Sequence, residues 1–176
     1  MKNKILALAF SLVVLTFSSQ LAFAQEKGAV TAGGGFVYGS SLEKLGLGLT
    51  GQYYFTDNLA GEVGLNFFFP NKVRTNNYEA KYSVWTINLN VNYYFNAQSD
   101  VVKPYVLGGL NFANIKSKVS RYSESYSDTH TEVGINLGGG LDFTISDKVT
   151  PFFNMKYVVS DLDQLVIGAG ARFRLK

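Results

Sequence analysis

Along four stretches of the chain every second residue is apolar, aromatic or glycine: Leu45, Leu47, Leu49, Gly51, Tyr53, Phe55; Trp85, Ile87, Leu89, Val91, Tyr93, Phe95; Val133, Ile135, Leu137, Gly139, Leu141, Phe143; and Leu165, Ile167, Ala169, Ala171, Phe173, Leu175. A period of two is that of β-strands, whose side chains alternate between the two faces of a sheet. Apolar residues (47%) and glycine (18 of 176) are common in this chain. Even so, an unbroken series over four stretches has a chance on the order of 10⁻⁵. One face of these strands avoids water.

The other face reads Gly46, Gly48, Thr50, Gln52, Tyr54; Thr86, Asn88, Asn90, Asn92, Tyr94; Gly134, Asn136, Gly138, Gly140, Asp142; and Gly168, Gly170, Arg172, Arg174. A solvent face is about 25–35% Lys, Arg, Glu and Asp. These positions are instead mostly small or neutral and polar, as suits a narrow lumen whose side chains hydrogen-bond one another. The polar face is therefore expected inside and the apolar face outside, against lipid, and a spanning sheet must close on itself to pair its edges.

Turn residues between the periodic runs give eight predicted strands, at 28–38, 44–55, 59–69, 80–95, 103–116, 130–144, 149–158 and 164–175. The reading is all-β: an eight-stranded antiparallel up-and-down transmembrane β-barrel, with short turns on the periplasmic side and longer polar loops outside at 70–79 and 117–129. Strand five allows either register of faces, and strands one and seven are intermediate. Aromatics gather at both ends of the apolar band. Tyr53, Phe55, Tyr93, Phe95, Tyr105, Phe143, Phe152, Phe153 and Phe173 form a lower girdle, and Phe36, Tyr38, Phe67, Phe69, Tyr82, Trp85, Phe112 and Tyr157 an upper one.

The first 24 residues read as a secretory signal, with Lys2 and Lys4 before an apolar run from Ile5 to Phe17 and an Ala22-Phe23-Ala24 cleavage site before Gln25. A run of 13 residues is too short for a spanning helix. The barrel domain is then 25–176. Cleavage removes two lysines and no acid, lowering the formal charge from +3 to +1, and nucleic acid is not implied. The chain has no cysteine, which excludes disulfides and a lipid-bearing cysteine. A monomer held by its hydrogen-bonded ladder is expected.

Glu62, Asp142, Lys156, Arg172 and Arg174 all fall on inward faces, and buried charges persist only when paired. Two roles stay open for them: a plug that fills the lumen, or a conducting path opened when a pair exchanges partners. Inward glycines at 46, 48, 64, 134, 138, 140, 168 and 170 serve either strand curvature or a narrow pore. Lys118, Arg121, Tyr122, Glu124 and Tyr126, among serines, make the loop at 117–129 the candidate interaction surface. Lys72, Arg74, Lys116, Lys118 and Arg121 are placed to meet glycolipid phosphates of the outer leaflet. Asp161 and Asp163 supply too few oxygens for calcium, and no metal or other cofactor is expected.

Three segments, Tyr53 to Leu59, Lys103 to Leu110, and Gly138 through Val149 to the C-terminus, together resemble the small outer-membrane β-barrel family that includes OmpX and the OmpA transmembrane domain. The resemblance covers essentially all of the chain after the signal. It implies a bacterial outer-membrane location in the OmpX-like arrangement, without a periplasmic domain after the barrel. It also implies a final strand read by the barrel-assembly machinery, a form that Gly170, Phe173 and Leu175 match, although the chain ends Leu175-Lys176 rather than on an aromatic. Lipid A deacylases on eight-stranded barrels look similar in architecture, but their His-x-Ser motif is absent, since His130 is followed at two residues by Glu132. The expected function is non-enzymatic: surface interaction with an unidentified ligand, or envelope integrity, with a narrow porin-like channel as the alternative.

Overall fold

The computed structural model describes residues 27–75, 78–95, 101–121, 124–146, 148–161 and 163–175; the segment read as a signal lies outside them. Eight strands follow in chain order: β1 (Val30–Gly39), β2 (Lys44–Tyr54), β3 (Leu59–Thr75), β4 (Tyr78–Tyr94), β5 (Val102–Arg121), β6 (Glu124–Phe143), β7 (Val149–Val159) and β8 (Gln164–Arg174). Each pairs antiparallel with the next, and β8 returns to β1 from Thr31↔Arg174 to Gly39↔Val166, closing the barrel. Closure leaves no unpaired edge at membrane depth, where no water is present to satisfy one.

The alternation read from the sequence is the alternation of faces. Leu49, Leu89, Leu137 and Ile135 are exposed on the outer wall, whereas Asn88, Asn92, Asn136 and Asp142 are fully enclosed. Strand five takes the register that buries Tyr105, Leu107 and Asn111 and turns Val106 and Leu110 outward. In β7, Phe152, Lys156 and Val158 are inside. Tyr105 and Phe152 therefore leave the lower girdle assigned to them and enter the lumen, while Phe153 stays outside. Their ladder neighbours are the inward Tyr94 and Asp142.

A second correction concerns the two long loops. Residues 70–79 and 117–129 belong mostly to strands: the β3/β4 ladder runs to Thr75↔Tyr78 and the β5/β6 ladder to Arg121↔Glu124. Their polarity on both faces read as loop. A hairpin above the membrane, however, has water on both sides and needs no apolar face, and Val73, Tyr78, Val119 and Tyr126 favour strand. At ~3.3 Å per residue and ~40° tilt, an 11-residue strand such as β8 rises ~28 Å, close to the ~25 Å apolar band. The 20-residue β5 and β6 rise ~50 Å. Four strands, β3 to β6, thus stand as a wall above one side of the outer rim, while the β1–β2 and β7–β8 turns remain low.

At the β1/β8 seam Gly35 lies opposite Gly170. A Cβ on either would collide with backbone of the other strand, at Ala169 O and Gly34 O respectively. Glycine here permits a backbone approach no other residue allows.

Candidate functional site

The lumen holds the densest polar chemistry in the described structure. Arg172, from the inner face of β8, is 1% exposed and lies between two enclosed carboxylates. Its Nη1 donates to Asp142 Oδ1 on β6 (2.6 Å), and its Nη2 donates to Glu62 Oε2 on β3 (3.3 Å) and to the Tyr105 hydroxyl on β5 (3.4 Å). The guanidinium carbon sits 4.1 Å from the Phe152 ring centroid, a cation–π contact in a desolvated setting. The two acids are further satisfied by neutral donors. Glu62 accepts from Gln52 (2.8 Å), Asn90 (3.0 Å) and Asn92 (3.2 Å), and Asp142 accepts from the Tyr94 hydroxyl (3.1 Å). Tyr54 donates to Gln52 Oε1 (2.9 Å), and the rings of Tyr54, Tyr94 and Tyr105 pack side by side as a layer near the periplasmic end of the lumen.

Above this layer lies a band of asparagines. Asn88 Oδ1 accepts from Lys156 Nζ (2.5 Å), Asn111 (2.8 Å) and Asn136 (3.1 Å), and Asn136 also donates to Asn90 Oδ1 (2.8 Å) and to the Leu110 carbonyl (3.1 Å). Lys156 therefore reaches neither Asp142 nor the arginine. Among the described residues it makes no ion pair within 4 Å, and Asn88 is its hydrogen-bond partner. Two acids and two bases nevertheless leave the lumen formally neutral, which lowers the cost of burying four charges together.

Arg174 departs from the expected network. It is exposed at the periplasmic mouth. The ladder explains this: Arg174 pairs with Thr31 near the open end of β1, where no further turn of barrel encloses it. The five network residues thus divide into a connected triad (Glu62, Asp142, Arg172), a separate enclosed ammonium (Lys156) and a rim residue (Arg174). Tyr54, Tyr94, Tyr105, Phe152 and the asparagine band were not singled out as site residues from sequence. Most sit on the inward face already read, and counting them there as a hydrogen-bonding set would have found them.

A cavity of ≈ 40 Å³ remains beside the triad, on the glycine-rich side of the barrel. Gly35, Gly48, Gly64 and Gly168 line it together with Lys156 and Arg172. Arg172 Nε and Thr50 Oγ1 are buried without a protein partner. Polar groups and this volume suit one or two waters.

The remaining candidates separate in space. Of the three residues read as an assembly signal, Phe173 and Leu175 are exposed on the outer wall at the periplasmic end, and Gly170 lies at the β1/β8 seam. His130 is exposed on β6, where catalysis was not expected. Asp163 Oδ1 accepts the Ser160 N–H (3.0 Å) and so holds the β7–β8 turn. Among the described residues no group of three or more His, Asp or Glu could hold a metal. Of the candidate interaction residues, Lys118, Arg121, Glu124 and Tyr126 occupy ladder positions in the tall β5–β6 hairpin, opposite Ser127, Glu124, Arg121 and Val119, whereas Tyr122 lies outside the described residues.

Comparison with known proteins places this architecture. The N-terminal β-barrel domain of OprF from Pseudomonas aeruginosa superposes with a TM-score of 0.66 at 16% identity, covering 86% of this chain and 100% of that one. Neisserial surface protein A gives 0.61 at 19% identity over 84% and 96%. Ail, the attachment invasion locus protein of Yersinia pestis, gives 0.59 at 14% identity over 85% and 99%. At such identities the likeness is one of fold. No curated protein matches in sequence. The sequence itself matches the family described as outer membrane protein beta-barrel domain over residues 9–173. The chain belongs to that family and is an outer-membrane β-barrel protein.

Proposed function

We propose that this protein is a closed, non-enzymatic barrel of the bacterial outer membrane, exported by a cleaved signal, that presents the β3–β4 and β5–β6 hairpins at the cell surface for interaction or envelope integrity. The observation that carries this reading is the contrast between a lumen crossed by the Arg172 triad and its tyrosine layer and an exterior wall that rises ~25 Å beyond what spanning requires. Strand extended past the membrane adds nothing to insertion, so its use lies outside. The fold shared with Ail, an attachment invasion locus protein by name, supports the same reading. Glycolipid phosphates are the proposed lipid partners of the basic positions in these hairpins. The test is to shorten both hairpins to the length of β1–β2 and assay assembly and surface adhesion separately. Normal assembly with lost adhesion supports display; unchanged adhesion refutes it.

A narrow channel is the second reading, favoured by the ≈ 40 Å³ cavity against the glycine-lined wall. It requires that this space extend past the tyrosines when the protein sits in a bilayer.

A further inference from the structure

Of the charges enclosed in the lumen, Lys156 alone stands outside the triad. Its ammonium donates to Asn88 Oδ1, a neutral oxygen that takes only part of what the group can give. Glu62 lines the same cavity as Lys156, but its oxygens are already taken: Oε1 accepts from Asn90, and Oε2 from Gln52, Asn92 and Arg172. A buried cation without an ionic partner is costly.

The ≈ 40 Å³ cavity lies against this ammonium. Its wall also holds donors that no protein group uses. Arg172 gives both Nη atoms to the triad and to Tyr105, yet its Nε–H, in a side chain 1% exposed, has no partner among the described residues. The same holds for the Thr50 hydroxyl. Lys156 and Arg172 share the lining with a single acid, Glu62, since Asp142 is not part of it. The lumen as a whole is formally neutral, but this corner of it is positive. The remaining polar lining is asparagine amide, which can turn either a donor or an acceptor inward.

We propose that this cavity binds one small monovalent anion of the halide class, held by Lys156 Nζ, Arg172 Nε and the Thr50 hydroxyl. Water is the poorer occupant. It brings hydrogens of its own that need acceptors, whereas the ammonium and the guanidinium N–H only donate, and an anion accepts from all of them in charge-assisted bonds. Size narrows the class. Room for one or two waters holds a monatomic anion, which is about as large as a water, but not phosphate, sulfate or an organic acid with its several heavy atoms. The room exists because glycine stands at positions 35, 48, 64 and 168. At Gly64 a Cβ would meet nothing closer than Asn88 Cβ at 3.6 Å, an ordinary van der Waals contact, so the backbone there does not demand glycine. The anion gives Lys156 the ionic partner that the triad withholds, and the site is independent of what the surface hairpins bind.

The test uses the full chain refolded in detergent in sodium gluconate, with bromide replacing gluconate stepwise at constant ionic strength. The readout is the urea midpoint followed by Trp85 fluorescence, and each variant is referred to its own midpoint in gluconate. An anion that binds only the folded lumen raises that midpoint as its concentration passes the dissociation constant. The parent midpoint is expected to rise in bromide. Gly64→Ala, which puts a methyl into the cavity, and Lys156→Met, which removes the charge, each weaken the apparent bromide affinity at least tenfold. Gly51→Ala, on the lipid-facing wall with only Thr31 O near its Cβ at 3.8 Å, stays within twofold of the parent. Crystals grown in bromide locate the ion, with an anomalous peak expected beside Lys156 Nζ and Arg172 Nε. The two variants are read separately and the crystal needs neither, so a variant that does not refold still leaves the outcome decided. A cavity without that peak, or equal parent midpoints in bromide and gluconate, overturns the proposal. So does a bromide response that survives Gly64→Ala or Lys156→Met, which marks a general salt effect on the barrel surface.

Discussion

Replacing Arg172 by Ala removes the one side chain that bridges both buried acids. Its pairs with Asp142 and Glu62 span 2.6 and 3.3 Å, and all three groups are less than a tenth exposed. Breaking a buried pair by deleting one partner costs about 3–5 kcal/mol, because the remaining charge is left uncompensated. Loss of the contact with Phe152 adds up to ~2 kcal/mol. Two features work the other way: Glu62 and Asp142 keep their neutral donors, and the neighbouring cavity admits water. The expected net loss is therefore about 3–5 kcal/mol. Urea titration of the refolded chain, followed by the fluorescence of Trp85, the only tryptophan, and by heat-modifiable migration, measures it. A companion variant, Glu62→Gln with Asp142→Asn and Arg172→Met, removes every charge of the triad at once and recovers most of the loss, since neutral replacements of a buried ionic triad are tolerated. A loss under 1 kcal/mol for Arg172→Ala, or a triple variant no more stable than it, would refute the triad as the element that holds the lumen together.

Three further outcomes follow from the same geometry. Lys156→Met changes stability by no more than about 1 kcal/mol in the same titration, because the ammonium has Asn88 rather than a carboxylate as its partner; a loss matching Arg172→Ala would place Lys156 in the triad. Leu89→Arg and Leu137→Arg, on the lipid-facing wall, each lose ~2–4 kcal/mol, and parent-like stability would invert the faces. Gly170→Ala forces a methyl against the backbone of β1 and lowers refolded stability by about 1–3 kcal/mol, whereas unchanged stability would mean the β1/β8 seam opens freely.

Period-two alternation was enough to read the barrel, because a lipid-exposed wall tolerates no polar intruder and each strand reports its own faces. It failed where lipid ends. Above the membrane both faces of β3 to β6 meet water, so the strands continued through residues 70–79 and 117–129 without a hydrophobic signal. Strand five was ambiguous because Val106, Leu107, Gly108, Gly109 and Leu110 offer apolar or small residues to both faces, and only the neighbouring Tyr94 and Gly140 decide that Tyr105 turns inward. Burial of Asp142, Glu62 and Arg172 was visible as inward charge. The pairing was not: residues 110 positions apart meet across the lumen, and alternation says nothing about height along the barrel. Height also separates Arg174 from Arg172, two residues apart on one face yet one at the rim and one enclosed.

Whether the lumen is closed is tested most directly by recording the refolded parent chain in planar bilayers. A lumen crossed by the Arg172 triad and sealed by Tyr54, Tyr94 and Tyr105 predicts no unitary conductance above baseline, in the parent and in Arg172→Ala alike, since the tyrosine layer persists in both. Stable single-channel steps from the parent protein would contradict the closed barrel and make the glycine-lined cavity part of a continuous pore.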